Sequence, residues 1–282
     1  MRNLRYKTVQ QLLLIIGVVL VSCEKDLDID YHTTEPLYVV EASTTPAHTV
    51  VRITQTVDVS EVERPKPVDG ALVVVTDGDG RRDTARMQYS GNYISSMGGT
   101  PGTTYRIDIN VGGQLFSSTS VMQRQPVLNS FRLVWQDMMS TRVLFGELRI
   151  ADYPGEENYY YIHVFRNDYG YRWTVFRDTG NPGQELKQLF GVCSEDEIDS
   201  EDNPGATDII CEGDRMRVEI RAVDRRAYDY LSSMQTMDSA GSNPIANFTN
   251  GCLGYYSAYN PVVYEFVFHR ADVVEADDES SL

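Results

Sequence analysis

The sequence predicts a mainly β protein: an N-terminal immunoglobulin-like β-sandwich followed by a second β-rich domain with one amphipathic helix. Short runs rich in Val, Ile, Thr and Tyr recur along the chain, separated by Gly, Pro, Asn and Asp residues. The chain has 18 tyrosines against 9 phenylalanines. This ratio suits half-buried strands, in which one face of a ring packs while the hydroxyl stays in water.

Residues 1–22 are predicted to be a lipoprotein signal peptide. Three basic residues precede an apolar run at 12–21, which is too short to span a bilayer as a stable helix. Small residues then lead into Cys23 as in a bacterial lipobox, so cleavage before Cys23 and acylation of its thiol are expected. The alternatives are a plain secretory signal, which needs no cysteine there, and a membrane anchor, which needs about 20 apolar residues.

An acidic tether at residues 23–35 is followed by the predicted sandwich, which covers residues 36–122. The runs at 37–42, 50–55 and 71–76 have the composition of strands, and residues 105–111 alternate cleanly between apolar and polar. Ser90-Gly91 and Gly112-Gly113 are hairpin signals, because glycine adopts the positive φ angles that tight turns require.

Pro126 marks the predicted boundary to a second domain at residues 127–274. The helix is expected at 225–237, with Asp224 as its N-cap. Its apolar face has helical spacing and consists of Ala227, Tyr230, Leu231 and Met234. An acidic tail at 275–282 is expected to be frayed.

The interval 191–214 is predicted to be an acidic loop closed by a disulfide. Outside the cytoplasm, Cys193 and Cys211 are the natural pair once Cys23 carries lipid, although other pairings remain open. Closing this loop would contribute about 3 kcal/mol on the chain-entropy model. Cys252 is then the odd cysteine, and a buried inert thiol is expected for it.

Calcium is the only cofactor that the loop suggests. Its carboxylates include three candidate ligands, Asp196, Asp199 and Asp202. Their spacing matches no defined calcium loop, so a solvated surface loop is the favoured interpretation. We therefore predict no cofactor and keep calcium as the alternative.

Catalytic signatures are missing from the sequence. The 4 histidines form no zinc-binding pattern, and no nucleophile elbow, phosphate loop or dinucleotide fingerprint occurs. The formal net charge of −16 repels phosphate backbones, so nucleic acid is not an expected partner. The chain is predicted to be non-enzymatic, although a pair of catalytic carboxylates would be indistinguishable among so many acidic residues.

Two further patterns concern the surface. Thr84 and Ser239 lie in Asp-Thr-Ala and Asp-Ser-Ala triplets, a short pattern used for bacterial O-glycosylation, and are candidate acceptors. Aromatic clusters at 159–161, 169–173 and 255–256 could stack on sugars or peptides. Since alternate residues of a strand face opposite sides, at most half of each cluster shares a face, and core packing is the favoured interpretation for most of them.

Several local patterns resemble one known family when taken in order. They are the lipobox, the turn Asp77-Gly78-Asp79-Gly80, the run 101–107, the run 158–162 and the closing Asn-x-x-x-Gly-x-Leu-Gly-Tyr stretch at 247–255. Together they resemble the domain-of-unknown-function 4249 family of Bacteroidota lipoproteins. The acidic residues after Cys23 also resemble the export signal that sends such lipoproteins to the outer face of the outer membrane. The resemblance implies a two-part β lipoprotein, often encoded near TonB-dependent receptors, and supplies no catalytic residues.

The predicted function is therefore that of a lipid-anchored, surface-exposed outer-membrane protein. It would be a non-enzymatic accessory that captures ligand for, or docks on, a TonB-dependent transporter. The alternatives are an adhesin that binds glycans or matrix and a surface hydrolase, which would need converging carboxylates in a cleft.

Overall fold

The alternation of apolar and polar residues produces two β-sandwiches in the computed structural model, which describes residues 35–57, 64–153, 155–179, 183–198, 209–240 and 244–276. The first nine strands are β1 (Tyr38–Thr44), β2 (Thr49–Gln55), β3 (Lys66–Pro67), β4 (Leu72–Thr76), β5 (Arg82–Thr84), β6 (Arg86–Tyr89), β7 (Asn92–Ser95), β8 (Thr104–Val111) and β9 (Gln114–Val121). The others are β10 (Leu128–Met138), β11 (Thr141–Ile150), β12 (Tyr159–Arg166), β13 (Tyr169–Arg177), β14 (Leu186–Ser194), β15 (Arg215–Val223), β16 (Leu253–Ala258), β17 (Val262–Val267) and β18 (Val274–Glu275). The predicted fold class is confirmed.

The first sandwich consists of two sheets with a shared core. Sheet A has the order β16-β1-β2-β7-β6, with β3 beside β2, and sheet B has the order β5-β4-β8-β9. The clean alternation in β8 buries every second side chain, including Ile107 and Ile109 at 0% exposure. The predicted hairpin at Ser90-Gly91 joins β6 to β7, and Gly91 has the positive φ of 72° that this turn needs.

Strand β16 lies in sheet A although it follows the second sandwich in sequence. It runs parallel to β1, with Gly254 opposite Val40. Gly254 has a φ of +92°, and a Cβ there would lie 2.0 Å from the carbonyl oxygen of Val40, so only glycine fits. The prediction placed this segment in a second domain at 127–274. Instead, the described residues from Pro36 onward belong to one compact unit.

Buried polar side chains connect the segment before β16 to β9. Asn247 is 1% exposed, and its Oδ1 accepts hydrogen bonds from the Ser118 hydroxyl at 2.7 Å and from the Tyr256 N–H at 2.9 Å. These two hydrogen bonds of the buried amide oxygen fix where the returning chain crosses the first sandwich.

The second half is also a sandwich. Sheet C has the order β14-β11-β10-β18, and sheet D has the order β13-β12-β15-β17. Their inward side chains form one core, in which Leu144, Ile162 and Ile220 are 0% exposed.

Two predicted boundaries differ from the structure. The acidic tail predicted at 275–282 begins with Glu275, which belongs to strand β18. Likewise the predicted loop at 191–214 begins inside β14, and residues 199–208 lie outside the described part.

The helix α1 (Arg225–Ala240) extends three residues beyond the predicted 225–237. Asp224 caps it as expected, because its Oδ1 accepts the Ala227 N–H at 2.9 Å. The second carboxylate oxygen of Asp224 accepts from the Ser120 hydroxyl at 2.5 Å and the Val121 N–H at 2.8 Å, both on β9. Asp224 therefore connects the helix to the first sandwich. In the described part of the chain, no helix is long and apolar enough to cross a membrane.

Candidate ligand-binding face

The outer face of sheet D, opposite the core, carries a continuous set of rings and charges. Alternation along β12 puts Tyr161, His163 and Phe165 on this side, while Tyr160 points into the core and stacks on Phe176 at 5.2 Å between ring centroids. We define the aromatic–arginine face as Tyr161, His163, Phe165, Trp173, Arg217, Glu219 and Arg221.

The strand register assembles this face from three strands. His163 on β12 lies between Trp173 on β13 and Glu219 on β15. Helix α1 covers one end of the same side of the sheet, where Tyr159 and Tyr161 pack against its apolar residues. The face continues beyond the helix, and the Trp173 side chain is 38% exposed there.

The rings of the face lie within contact distance of one another. The centroid of Tyr161 is 5.7 Å from that of His163 and 5.9 Å from that of Trp173. His163 and Phe165 are 4.0 Å apart. Gly170 leaves room for this arrangement, because a Cβ at that position would lie 3.0 Å from Nε2 of His163. The result is a row of ring contacts in which Tyr161 is buried at 6% exposure and Trp173 is open to solvent.

Two arginines are fixed over this surface by one glutamate. The guanidinium of Arg217 lies 3.8 Å from the centroid of the Phe165 ring, and that of Arg221 lies 5.0 Å from Tyr161. Glu219 forms ion pairs with both arginines, and the pair with Arg221 has a length of 2.5 Å. The two positive charges share the negative charge of Glu219, and the next carboxylate, Glu265, lies opposite Arg217 on β17. Both guanidinium groups are also held in place before any ligand arrives.

Burial determines the ionisation of the other groups. It lowers the pKa of His163 to about 4, and the positive charge of Arg221 acts in the same direction. His163 is therefore neutral at pH 7. Burial also raises the pKa of Tyr161 to about 12, which keeps its hydroxyl protonated. Both groups are therefore uncharged at neutral pH, and the charges of the face are those of its arginines and Glu219.

The face can hold a ligand that combines a flat or apolar side with a negative charge. Aromatic rings pack against such sides, and guanidinium groups pair with carboxylates or phosphates. A depression of about 320 Å³, lined by Arg217, Asp168, Arg215 and Glu265 among others, adjoins it. This volume is within the range of small-molecule sites.

The predicted disulfide is wrong in this structure, because Cys193 and Cys211 are both free. Cys193 is 6% exposed on β14, where burial raises its pKa to about 12 and the Tyr171 hydroxyl lies beside its thiol. Cys211 lies in a turn, where its N–H donates to Asp214 at 2.7 Å. Each cysteine is thus held by its own neighbours. Cys252 is buried and free as expected.

The candidate calcium ligands do not form a site in the described residues. Asp196 lies in a short 3₁₀ helix, Glu195–Glu197, whose neighbouring carboxylates have other partners. Glu195 pairs with Arg142 and Arg270, and Glu197 accepts the Ser194 N–H at 2.8 Å. Asp199 and Asp202 lie outside the described part, and within it no group of three or more His, Cys, Asp or Glu side chains could hold a metal.

The other predicted site residues are scattered. Thr84 is exposed on β5, next to Asp83, whose carboxylate accepts the Ser95 hydroxyl at 2.6 Å. Ser239 falls in the last turn of α1, and its side chain is outside the described part, as is Cys23. Thr84 is not part of the aromatic–arginine face.

Sequence reasoning missed the Arg-Glu-Arg set. Arg217, Glu219 and Arg221 alternate along β15 with the buried Val218 and Ile220. The alternation of these charged residues with apolar residues predicts a strand. Because residues two apart lie on the same face of a strand, it also predicts ion pairs between the opposite charges on that face. What the sequence could not indicate is which rings of β12 lie beside them.

Comparisons with known proteins give a family and a distant structural likeness. A family model described as a domain of unknown function (DUF4249) matches residues 24–262. Among solved structures, a two-domain fibronectin type III segment from chicken tenascin is similar at 11% identity and a TM-score of 0.22, covering 83% of this chain and 100% of that one. No curated protein matches the sequence significantly. The sandwich architecture therefore rests on the sheet pairings described above.

Proposed function

We propose that this chain, which belongs to the family described as domain of unknown function 4249, is a non-enzymatic surface lipoprotein that captures a ligand. The single observation behind the ligand proposal is the aromatic–arginine face, where the partly exposed Arg217 lies over Phe165 and Trp173 is open to solvent, while Arg221 and Tyr161 are mostly covered. Its groups are arranged to bind, and His163 and Tyr161 are neutral at pH 7.

The ligand class follows from the chemistry of the face. An acidic saccharide has apolar C–H faces for Trp173 and a carboxylate for the arginines, so it uses both features at once. Binding of acidic and neutral oligosaccharides to the purified full chain, measured by titration calorimetry, tests this proposal. We expect acidic sugars to bind, and Trp173→Ala to weaken binding about tenfold. A matched control is Tyr89→Ala, since Tyr89 is 67% exposed on β6 of the other sandwich.

Equal binding of neutral sugars would contradict the role of the arginines. Unchanged affinity in Trp173→Ala would contradict the location of the site. Binding by neither class of sugar would remove acidic saccharides as the ligand.

The membrane location is proposed from the sequence. The lipobox supports acylation of Cys23, and the acidic residues after it support the outer face of the outer membrane. Metabolic labelling with a palmitate analogue should mark the wild type and not Cys23→Ala. External protease should digest the protein on intact cells, and protection until the cells are broken would place the chain on the periplasmic side.

A TonB-dependent outer-membrane receptor is the proposed partner, because the family resemblance includes neighbouring receptor genes. Crosslinking on intact cells followed by purification of the chain should recover such a receptor. Ligand binding without any receptor would instead favour the adhesin alternative.

A further inference from the structure

Strand β17 is the last strand of sheet D, and its outer edge pairs with no strand in the described part of the chain. Five of its six residues are apolar or aromatic. Val263, Tyr264 and Val267 are 45%, 39% and 45% exposed. Folded proteins normally protect an edge strand with several charges, a proline or a covering element, so an apolar edge of this kind indicates a missing partner.

The backbone of β17 presents donors along this edge. The Phe268 N–H donates to the Asp214 carbonyl at 2.8 Å, and the next residue pair in the register is Val267 with Arg215. Since hydrogen-bonded pairs alternate in an antiparallel ladder, the N–H groups of the odd-numbered residues 263, 265 and 267 point away from β15. They form the row of groups that an added strand needs.

On the inner side, the edge opens onto a depression of about 200 Å³ between the two sheets. Its apolar lining includes Phe131, Leu133, Tyr264 and Phe266. The Phe131 ring centroid lies 5.2 Å from that of Tyr264 and 5.6 Å from that of Phe266. The short strand β18 pairs with β10 only at Val134 and Trp135, so it does not extend along residues 128–133. Apolar side chains of an added strand could pack into this opening.

On the outer side, the edge carries one charge that has no partner. Glu265 lies between Val263 and Val267 and forms no ion pair or hydrogen bond with any described residue. Its cross-strand neighbour Arg217 is already paired with Glu219. An opposite charge on a neighbouring strand stabilises such a pair, so a basic residue fits opposite Glu265.

We propose that β17 binds an extended segment of a partner protein as an added strand, with a Lys or Arg opposite Glu265 and apolar residues one position to each side, where they face the opening between the sheets. A second copy of this chain fits less well. Antiparallel pairing about the middle of β17 would bring two Glu265 side chains together, between molecules of formal net charge −16. The edge adjoins the ligand face, because Glu265 and Val267 line the depression beside Arg217, but the proposal rests on the backbone and side chains of β17 and not on ligand binding.

The test uses a phage-displayed library of random nonapeptides selected on the immobilised full chain. Selected peptides are then labelled and measured by fluorescence anisotropy. We expect them to alternate apolar residues around a central Lys or Arg. Val263→Lys, which puts a charge on the edge, should weaken binding at least about tenfold. Met87→Lys is the matched control, because Met87 is 50% exposed on β6, the edge strand of sheet A.

A charge reversal makes the register testable. Glu265→Lys should weaken binding about fivefold, and replacing the central basic residue of the peptide by Glu should restore it. Recovery of no peptide, peptides without alternation, or equal binding to the Val263→Lys variant would overturn the proposal. A dimer in sedimentation that Val263→Lys dissociates would overturn it in favour of a second copy.

Discussion

Replacing Asp224 by alanine removes three hydrogen bonds from one carboxylate. Oδ1 accepts the Ala227 N–H at the start of α1, and Oδ2 accepts the Ser120 hydroxyl and the Val121 N–H of β9. The side chain is thus the N-cap of the helix and a connection between the two sandwiches. We expect this exchange to be among the most destabilising single changes outside the apolar cores.

The magnitude follows from these contacts. Loss of an N-cap costs about 1 kcal/mol. Each hydrogen bond to a charged acceptor contributes about 1.5 kcal/mol, so the two bonds to β9 add about 3 kcal/mol. The expected loss is therefore about 4 kcal/mol, or a fall in Tm of roughly 10 °C for a chain of this size. Asp224→Asn should lose about 3 kcal/mol, because asparagine keeps the cap through its one acceptor oxygen and loses the two bonds to β9.

The assay is urea unfolding of the purified chain, followed by tryptophan fluorescence and circular dichroism. Asp229→Ala is the control, since Asp229 lies on the same helix and makes only an exposed contact of 3.7 Å with Arg225. It should cost less than about 0.5 kcal/mol. If Asp224→Ala is no more destabilising than the control, the carboxylate does not connect the helix to β9 in solution.

Three further predictions concern single sites. Gly254→Ala should lower the free energy of unfolding in urea by more than about 3 kcal/mol, because its Cβ would meet the backbone of Val40. The control Gly251→Ala should cost about 1 kcal/mol, because Gly251 has a φ of +74° but open space around it. Equal costs for the two variants would contradict the close approach at Gly254. His163 has its pKa lowered to about 4 from 6.5, so the stability it contributes is present above pH 6.5 and lost as the pH falls toward 4. The urea midpoint of the wild type should therefore fall more steeply over that range than that of His163→Phe, and parallel curves would refute the shift. Under native conditions at pH 8, iodoacetamide should modify Cys211 well before Cys193, whose buried thiol has a pKa of about 12; mass spectrometry that found the two cysteines joined would contradict the structure.

Local patterns in the sequence were sufficient to predict the elements. The mainly β class, the hairpin at Ser90-Gly91 and the Asp224 cap were all predicted, because each depends on residues close together in the chain. The opposite directions of Tyr160 and Tyr161 followed from the period of a strand. Signal peptide, lipid anchor and transporter partner remain predictions.

The sequence by itself determined which residues form strands and which side of each strand is apolar. Only the tertiary structure decided which strands meet. It returned β16 to the first sandwich and placed Arg217 over Phe165, and it left Cys193 and Cys211 as free thiols. These contacts join residues far apart in the chain, and pairing between distant strands depends on the packing of the whole fold rather than on any local period.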